Sequence, residues 1–519
     1  MNQSLRALAL EAIAGSRAQE DPDYPLFHVA PPVGRLNDPN GLMVHQGVYH
    51  AFYQFSPFHG RRKLVYWGHS TSTDLTHWES QEPAIIPDSW YDINGAYSGN
   101  AISHNGTVHL FYTGNVRPSE QERDTHQCLV TSTDMVTFTK EPANPLIPSP
   151  PPGYTEHVRD PQVWRDDDGT FRMCLGAQRQ DLTGCALLYR SPDLMSWEFE
   201  GELQFPDAAG LYDRFGYMWE CPSLIRVPDV SGEKVHDVLV FCPQGITPQR
   251  EGFKNIFPTC YVIGRLEGTS LVDTGDFYEL DRGFEFYAPQ AFAHEPGHGG
   301  PTLITGWVGN ASEDDQPSME HNWVHTLSVI RKLQVRDGRL VQTPILDTAT
   351  ATDLLTDQPQ GLPGSVGPKD AVIPALHNSR SFALKFQVTP SAANPQNTDP
   401  EEASWHLRLG TSSRHVDFHF TGSTMTVDRS TTRYPHGNHR TVTLPAAASA
   451  PEMAPAGPPP STLTVELLHD RSVTELFLDD GALSFTMRSY LDAEDFAVSL
   501  QSASGIHIDW LSAVSFTDD

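Results

Sequence analysis

Three acidic residues occupy matching positions in a tetrapeptide that recurs along the chain. Asp38 lies in NDPN at 37, Asp160 in RDPQ at 159 and Glu220 in ECPS at 220. Two further tetrapeptides, YSGN at 97 and YAPQ at 287, complete a series with steps of 60, 62, 61 and 67 residues. Carboxylates that share one pocket repel one another, and unequal surroundings then separate a proton donor from a nucleophile. Hydrolysis of a glycosidic bond requires this pair of roles.

The neighbours of Glu220 in the sequence favour it as the proton donor. Tyr217, Trp219 and Cys221 flank it, which is the most apolar setting of the three acids. An apolar setting disfavours the ionised form of a carboxyl group. We therefore expect Glu220 to carry the proton.

The other two acids have polar neighbours. Asp160 follows Arg159, whose guanidinium group we expect to keep it ionised, and Asp38 follows Asn37, an amide donor suited to a nucleophilic carboxylate. For Asp38 alone a structural role is the alternative, because Asp-Pro and the Asn-Gly that follows are strong turn dipeptides. The shared phase of the three acids favours catalysis.

The elements that position these acids are repeated β-hairpins. Three hairpin signals, at Gly47, Gly106 and Gly169, are separated by 59 and 63 residues, close to the spacing of the tetrapeptides. A unit of about sixty residues that cannot cover its own faces closes most naturally into a ring of four-stranded sheets. The sequence therefore predicts an all-β fold whose first part is a five-bladed β-propeller.

A change of pattern after Pro344 predicts a second domain. The Pro- and Gly-rich stretch before Asp370 indicates a linker, and the following segments alternate apolar and polar residues with period two, as in a β-sandwich. We predict four parts: an N-terminal extension with a short helix over 1–25, the propeller over 26–345, the linker over 346–372 and the sandwich over 373–519.

Charge and cysteine usage restrict the partners and the compartment. The formal net charge of −30 disfavours nucleic acid and anionic membranes as partners, and no segment approaches the roughly 18 apolar residues of a membrane span. Six scattered cysteines without a C-x-x-C pair indicate reduced thiols. The N-terminus has no basic region followed by an apolar core, so we expect a cytoplasmic protein.

One metal-binding signal is set aside. HEPGH at 294–298 matches the H-E-x-x-H zinc motif, which works only on a helix that brings both histidines to one face. Pro296 and Gly297 oppose a helix there. We expect no metal and no cofactor.

The ordered motifs resemble the signature set of glycoside hydrolase family 32, which contains invertases, inulinases and related β-fructofuranosidases. The resemblance extends over roughly residues 28 to 345, and DRSVTELFLDDG from Asp470 is similar to the family's C-terminal sandwich. The motifs that carry it are NDPNG at 37, FYQFSPF at 52, YWGHSTSTDLTHW at 66, YSGN at 97, RDPQV at 159, ECPSL at 220 and FYAPQAF at 286.

The resemblance implies roles for individual residues. Asp38 would be the nucleophile, Glu220 the acid/base and Asp160 the stabiliser of the transition state that holds fructosyl hydroxyl groups. The expected substrate-binding residues are Asn37, Gln54, Trp67, Tyr97, Ser98, Arg159, Cys221, Tyr287 and Trp307. Four positions depart from the family pattern: Arg35-Leu36 replaces Trp-Met, Tyr97 replaces Phe, and Glu285 replaces Asp.

The predicted reaction is a retaining hydrolysis that releases terminal β-D-fructofuranosyl units. The expected substrates are sucrose and short fructo-oligosaccharides, and the expected separation of Asp38 and Glu220 is about 5 to 5.5 Å, against about 6.5 to 9.5 Å for an inverting enzyme. Three alternatives remain: an arabinan- or xylan-acting glycosidase on the same propeller, a fructosyltransferase, and a sugar-binding propeller without catalysis. A homo-oligomer is compatible with the sequence.

Overall fold

The computed structural model describes residues 4–59, 63–246, 257–294, 300–354, 364–366, 371–390, 404–444, 462–502 and 505–517. The regular secondary structure of these residues is almost entirely β, with five sheets arranged as propeller blades followed by two facing sheets. The predicted five-bladed propeller with a C-terminal β-sandwich is therefore confirmed.

Each of the first four blades is a sequential antiparallel meander. Blade I contains β1 (Gly34–His45), β2 (Val48–Ser56), β3 (Tyr66–Ser72) and β4 (Glu79–Ile85). Blade II contains β5 (Ala96–His104), β6 (Thr107–Val116), β7 (Asp124–Ser132) and β8 (Thr139–Lys140). Blade III contains β9 (Tyr154–Arg165), β10 (Phe171–Arg179), β11 (Gly184–Ser191) and β12 (Glu198–Glu202). Blade IV contains β13 (Met218–Pro228), β14 (Val235–Gln244), β15 (Cys260–Glu267), β16 (Ser270–Val272) and β17 (Tyr278–Glu279).

Blade V contains the strand that closes the ring. Its sheet contains β18 (Tyr287–Ala291), β19 (Leu303–Val308), β21 (Thr326–Leu327), β22 (Arg331–Arg336) and β23 (Arg339–Pro344), and β20 (Trp323–Val324) lies between β19 and β21 in the sequence. The short strand β20 leaves this blade and pairs in parallel with β1, with Gly34 opposite Trp323 and Arg35 opposite Val324. This pairing joins the last blade to the first and fixes the backbone just before Asp38.

The recurrent tetrapeptides are β-bulges on the innermost strand of each blade. The register of β1 shifts between Leu36 and Pro39, and the registers of β5, β9, β13 and β18 shift at YSGN, RDPQ, ECPS and YAPQ. A bulge bends a strand and redirects one side chain. Asp160 and Cys221 adopt the left-handed backbone there, with φ of 65° and 47°. The turn chemistry noted in the sequence is thus what directs the acids towards the axis.

The N-terminal segment packs on blade I. Helix α1 (Leu5–Ala14) begins at Ser4, whose hydroxyl accepts the Ala7 N–H, and its Ala9 is fully buried. Short 3₁₀ turns occur at Ala18–Glu20, Pro317–His321 and Pro374–Leu376. Among the described residues, no helix has the length and apolar character needed to traverse a bilayer.

Two sheets, one of seven strands and one of six, form the sandwich. The first contains β24 (Thr352–Asp353), β25 (Gly364–Val366), β27 (Ser381–Pro390), β32 (Leu463–Asp470), β33 (Val473–Leu478), β34 (Leu483–Arg488) and β36 (Ile506–Ser515). The second contains β26 (Ala371–Val372), β28 (Trp405–Gly410), β29 (His415–Thr421), β30 (Thr424–Asp428), β31 (His439–Thr443) and β35 (Ala497–Ser502). Their inner faces enclose one apolar core.

The segment predicted as a linker contributes strands to the sandwich. β24 and β25 pair with β36, and β26 pairs with β35, all within residues 346–372. Residues 355–363 and 367–370 of this segment lie outside the described residues. The exact domain limits stay a prediction.

Buried charges join the propeller to the sandwich. Asp470, on β32, accepts the backbone N–H groups of Leu26 and Phe27 at 2.9 Å. The imidazole of His28 lies between Asp470 and Glu475, at 2.8 and 3.0 Å. Burial alone would lower the pKa of His28, but these two carboxylates outweigh it and raise that pKa.

Further ion pairs extend this interface. Arg331 of blade V donates to Asp281 at 3.0 Å and to Glu475 of the sandwich at 2.5 Å. Glu285, one of the departures from the family pattern, accepts from both Nη atoms of Arg429. Pairs this deeply buried are costly to break singly, because one charge would remain unpaired. The sandwich is therefore held against blade V by polar contacts.

Candidate active site

The carboxylate of Asp38 is surrounded by donors from blades I and II. Asn37 Nδ2 donates to Oδ1 at 3.2 Å, and Gln54 Nε2 and Ser98 Oγ donate to Oδ2 at 3.0 and 2.5 Å. Cys221 Sγ, from blade IV, lies 3.8 Å from the same oxygen. Four of the predicted substrate-binding residues therefore contact the proposed nucleophile.

Burial raises the pKa of Asp38, and the nearby charge of Glu220 raises it further, against the opposing hydrogen bonds from Ser98 and Asn37. Asp38 and Glu220 are thus close enough to interact electrostatically across the pocket. Their exact separation stays a prediction.

Glu220 is held by three polar side chains. Arg159 Nη2 donates to Oε1 at 2.5 Å, while Gln244 Nε2 and Tyr287 OH each donate to Oε2 at 2.5 Å. These contacts come from blades III, IV and V, so Glu220 lies where three blades meet. Gln244 was not predicted from the sequence, because it belongs to no repeated motif.

The prediction that Glu220 has apolar surroundings is wrong. Trp219 points to the opposite face of β13, where its Nε1 donates to Phe215 O at 2.6 Å. Cys221 turns towards Asp38 instead, and Tyr217 is 46% exposed. Successive side chains of a strand point to opposite faces, which is why Trp219 does not surround the carboxylate that it precedes in sequence.

Asp160 is the most buried of the three acids, with 5% of its surface exposed. Its Oδ2 accepts the Cys221 N–H at 3.1 Å, and its own N–H donates to Thr113 Oγ1 at 3.0 Å. Burial raises the pKa of Asp160 to about 7, because the charges of Glu220 and Asp38 add to burial and Arg159 only partly offsets them. Arg159 favours the ionised form of Asp160, as expected, but it does not outweigh burial: the guanidinium lies 3.8 Å from Asp160 and binds Glu220 more closely.

Two predicted aromatic residues support the pocket from behind. Trp67 has no exposed surface, and its Nε1 donates to the backbone oxygen of Tyr97 at 3.0 Å. Trp307 is also buried and lies edge-on to Tyr287, with ring centroids 6.2 Å apart. In this structure Trp67 holds the start of β5, and its direct contact with substrate stays a prediction.

A cluster of basic side chains lies beside Glu220 and was not predicted. His157 Nδ1 accepts from Arg159 at 3.1 Å and from Arg123 at 3.4 Å, and Arg117 follows β6 near by. Burial and the adjacent arginines lower the pKa of His157 to about 4, so the imidazole is neutral. Burial lowers the pKa of Arg123, and the nearby charge of Arg159 lowers it further. Within the described part of the chain, no carboxylate forms an ion pair with Arg117 or Arg123, so this corner of the pocket is positively charged.

The described residues contain no group of three or more His, Cys, Asp or Glu side chains arranged to hold a metal ion. The motif HEPGH at 294–298 falls outside the described residues except for His294. The site as described consists of carboxylates, amides, hydroxyls and arginines, with the thiol of Cys221 and the imidazole of His157.

Comparison with known proteins matches both halves of the chain to one family. The sequence model of the glycosyl hydrolases family 32 N-terminal domain matches residues 28–344, and that of the family 32 C-terminal region matches residues 350–517. A sucrose-6-phosphate hydrolase of Bacillus subtilis is 38% identical over 349 residues, which are 66% of this chain and 70% of that protein. The raffinose invertase of Escherichia coli is 32% identical over 97% of this chain and 96% of its own.

Solved structures show the same architecture. The sucrose-6-phosphate hydrolase from Lactobacillus gasseri aligns with a TM-score of 0.80 and 28% identity, covering 99% of this chain and 96% of that one. A family 32 β-fructofuranosidase of Bombyx mori, solved as a variant in complex with sucrose, aligns with a TM-score of 0.77 and 26% identity over 99% of this chain and 98% of its own.

Proposed function

The chain belongs to glycosyl hydrolase family 32 and is a β-fructofuranosidase, and on that premise we propose that it releases β-D-fructofuranosyl units from sucrose and short fructo-oligosaccharides with retention of configuration. The observation that carries this proposal is the meeting of Asp38, Asp160 and Glu220 from three blades. Cys221 contacts both aspartates, at 3.8 and 3.1 Å, and Arg159 contacts both Asp160 and Glu220, at 3.8 and 2.5 Å. Paired carboxylates in unequal surroundings are the requirement of a double displacement.

In the first step Asp38 attacks the anomeric C2. The bond from C2 to the glycosidic oxygen breaks, Glu220 gives its proton to that oxygen, and an ester forms between fructose and Asp38. The donors Gln54, Ser98 and Asn37 hold the Asp38 carboxylate so that one oxygen faces the sugar. Preorganised donors of this kind lower the barrier because they need not reorient during the reaction.

In the second step water breaks the ester. Glu220, now ionised, takes a proton from water, whose oxygen attacks C2 and releases Asp38. Arg159, Gln244 and Tyr287 keep the Glu220 carboxylate in one place through both steps. Asp160 is suited to accept hydrogen bonds from fructosyl hydroxyl groups, and the negative charge of its carboxylate would stabilise the positive charge that develops on the ring.

Replacement of the nucleophile tests this assignment. Asp38→Ala and Asp38→Asn should each lose at least about 1,000-fold in kcat on sucrose, since the covalent route is removed. Wild-type hydrolysis of sucrose by purified Asp38→Ala would overturn the assignment. A time course with sucrose, kestose, inulin and levan, measuring fructose and transfer products, separates hydrolysis from fructosyl transfer and ranks the substrates.

A second candidate substrate is a phosphorylated sucrose. Arg117 and Glu220 both lie near Arg123, and Glu220 is the residue that would protonate the leaving group. A protein with a net charge of −30 otherwise repels anions. Arginine pairs well with phosphate, so the cluster favours a leaving glucose that carries a 6-phosphate. The relatives named as sucrose-6-phosphate hydrolases act on this compound.

The ratio of kcat/KM for sucrose 6-phosphate to that for sucrose tests this candidate. Arg123→Met should lower the ratio at least tenfold while kcat/KM on sucrose changes little, because one phosphate contact is worth about 1.5 to 3 kcal/mol. Arg265→Met, on the outer part of blade IV, is the matched control and should leave the ratio unchanged. An unchanged ratio in Arg123→Met would exclude this phosphate site.

A cytoplasmic location is proposed together with this substrate. All six cysteines are buried free thiols, which suits a reducing compartment. Phosphorylated sugars are also intracellular metabolites as a chemical class, because they do not cross membranes unaided. The oligomeric state stays a prediction.

A further inference from the structure

Arg35 stands one layer behind the nucleophile. It lies on β1 three residues before Asp38, and its side chain is 13% exposed. Its Nη1 donates to Asn37 Oδ1 at 2.6 Å, its Nε donates to Asp314 Oδ1 at 2.8 Å, and its guanidinium lies 4.9 Å from the ring centroid of Trp307. Three contacts from three directions thus fix one side chain at a position where the sequence departs from the family pattern.

The contact with Asn37 fixes the orientation of a carboxamide. An arginine offers only donors, so the amide oxygen of Asn37 must face it. The amide nitrogen then points the other way, and Nδ2 donates to Asp38 Oδ1 at 3.2 Å. Without Arg35, the amide of Asn37 would be free to rotate. A rotated amide would present its oxygen to Asp38, and this oxygen and the ionised carboxylate would repel each other.

We propose that Arg35 is a positioning residue for the nucleophile, acting through the carboxamide of Asn37 to hold the Asp38 carboxylate in its attacking orientation. This inference rests on the proposed role of Asp38. It assigns to the chain a relay of four side chains, from Asp314 through Arg35 and Asn37 to Asp38.

Asp314 is the anchor of this relay. It lies in the segment between β19 and β20, and His325 Nε2 is 3.1 Å from its Oδ1. Although burial would raise the pKa of Asp314, the contacts with His325 and Arg35 outweigh it and lower that pKa. Burial lowers the pKa of His325 to about 3, so a neutral ring donates to an ionised Asp314. The anchor is therefore charged throughout the pH range in which the enzyme can act.

The charges that face Asp38 set the pH readout. Glu220 and Asp160 are its acidic neighbours, and Arg35 is the cation that lowers its pKa. Ser98, Gln54 and Asn37 add neutral donors, and Cys221 adds a thiol whose pKa burial keeps high. Removal of Arg35 should therefore move the acidic limb of the activity profile towards higher pH.

The test measures kcat and kcat/KM on sucrose from pH 4 to 8 for Arg35→Gln and Arg35→Lys. In Arg35→Gln, kcat should fall about 10- to 100-fold, since displacement of a reacting group by about 1 Å costs up to about 100-fold. Its acidic limb should rise by roughly one pH unit, as expected for a lost charge at this range. Arg35→Lys should keep the limb near that of the wild type and still lose kcat, because one ammonium cannot serve two planar partners at once.

Lys63→Met is the matched control. Lys63 Nζ lies 3.5 Å from Asp314 Oδ2 and its side chain is 76% exposed, so the substitution removes a cation from the same anchor without touching Asn37. Its kcat should stay within about twofold of the wild-type value, and its acidic limb within roughly 0.2 pH units of the wild-type limb, which is about the error of such profiles. Equal effects of Lys63→Met and Arg35→Gln would overturn the proposal, because a general loss of positive charge would then explain both.

A double-mutant cycle isolates the relay. If Arg35 acts through Asn37, then Arg35→Gln in an Asn37→Ala background should cost no further kcat; additive losses would overturn the proposal. If Arg35→Gln does not fold, Asp314→Asn serves instead, because it weakens the contact that holds the Arg35 guanidinium. This variant should also lower kcat, and an unchanged kcat would contradict the relay. If Asp38→Ala is inactive and Arg35→Gln keeps the wild-type pH profile, the relay alone is rejected. If Asp38→Ala is active, the proposed function on which the relay rests is rejected.

Discussion

Replacement of Asp160 by asparagine should make the folded protein more stable at neutral pH and remove most of its activity. Asp160 is buried beside two other carboxyl groups, and its pKa rises from 3.8 to about 7 on folding. Ionisation of Asp160 in the folded state is therefore unfavourable relative to the unfolded chain. Asparagine carries no charge, tolerates the φ of 65° found here, and keeps an oxygen for the Cys221 N–H.

The magnitude follows from the pKa shift. The unfolded chain releases the Asp160 proton near pH 3.8, while the folded protein keeps it up to about pH 7. A raised carboxyl pKa costs nothing below the unfolded value, costs progressively more between the two values, and costs its full amount above the folded value. A shift of about 3 pH units corresponds to about 4 kcal/mol. Asp160→Asn should recover most of that free energy of unfolding at pH 8 and none at pH 3.5.

Thermal unfolding of the wild type and Asp160→Asn between pH 3.5 and 8 checks this prediction. The melting temperatures should coincide at the acidic end and separate steadily up to about pH 7. Asp417→Asn in the sandwich is the control with the opposite sign: burial would raise the pKa of Asp417, but the hydrogen bond and charge of His406 lower it, so this variant should be less stable at pH 8. A melting temperature of Asp160→Asn that is unchanged or lower at every pH would refute the reasoning.

Three further variants test the interface, the bulges and the acid/base. His28→Gln should cost about 3 to 5 kcal/mol of stability near pH 6 and less at high pH. The pKa of His28 is raised in the folded protein, so its contribution is present at low pH and disappears as the wild-type ring deprotonates. Chemical unfolding of both proteins at pH 6 and pH 9, roughly either side of that deprotonation, measures this difference. Gly99→Ala places a Cβ 1.9 Å from the backbone oxygen of Phe111, so the inner strand must shift, and both soluble yield and kcat should fall. Gln244→Leu removes a donor to Glu220 and should lower kcat about 10- to 100-fold with a melting temperature near that of the wild type, and an unchanged kcat would exclude an orienting role.

The spacing of the tetrapeptides predicted the propeller and the meeting of the acids for a physical reason. Each motif is a bulge at the same position of an innermost strand, and a bulge needs small or turn-forming residues such as Pro39, Gly99 and Pro161. One backbone device repeated five times leaves a periodic trace in the sequence. That trace is why Asp38, Asp160 and Glu220 could be grouped without coordinates.

The immediate surroundings of the acids could not be predicted in the same way. Arg159 adjoins Asp160 in sequence but binds Glu220, because consecutive side chains of a strand face opposite directions and the guanidinium reaches the neighbouring blade. Gln244 and Asp314 stand at a strand end and in a connection between strands, outside any repeat. These contacts join residues of different strands or different blades, and no repeated motif in the sequence records them.

The anomeric configuration of a transfer product tests the central claim most directly. With methanol added as an acceptor in place of water, a fructosyl ester on Asp38 should be attacked from the face that the leaving group vacated, giving methyl β-D-fructofuranoside. This product is locked in configuration and can be identified by NMR without interference from the ring-opening of free fructose. A β-configured product that disappears in Asp38→Ala is the result expected, and methyl α-D-fructofuranoside would contradict the double displacement.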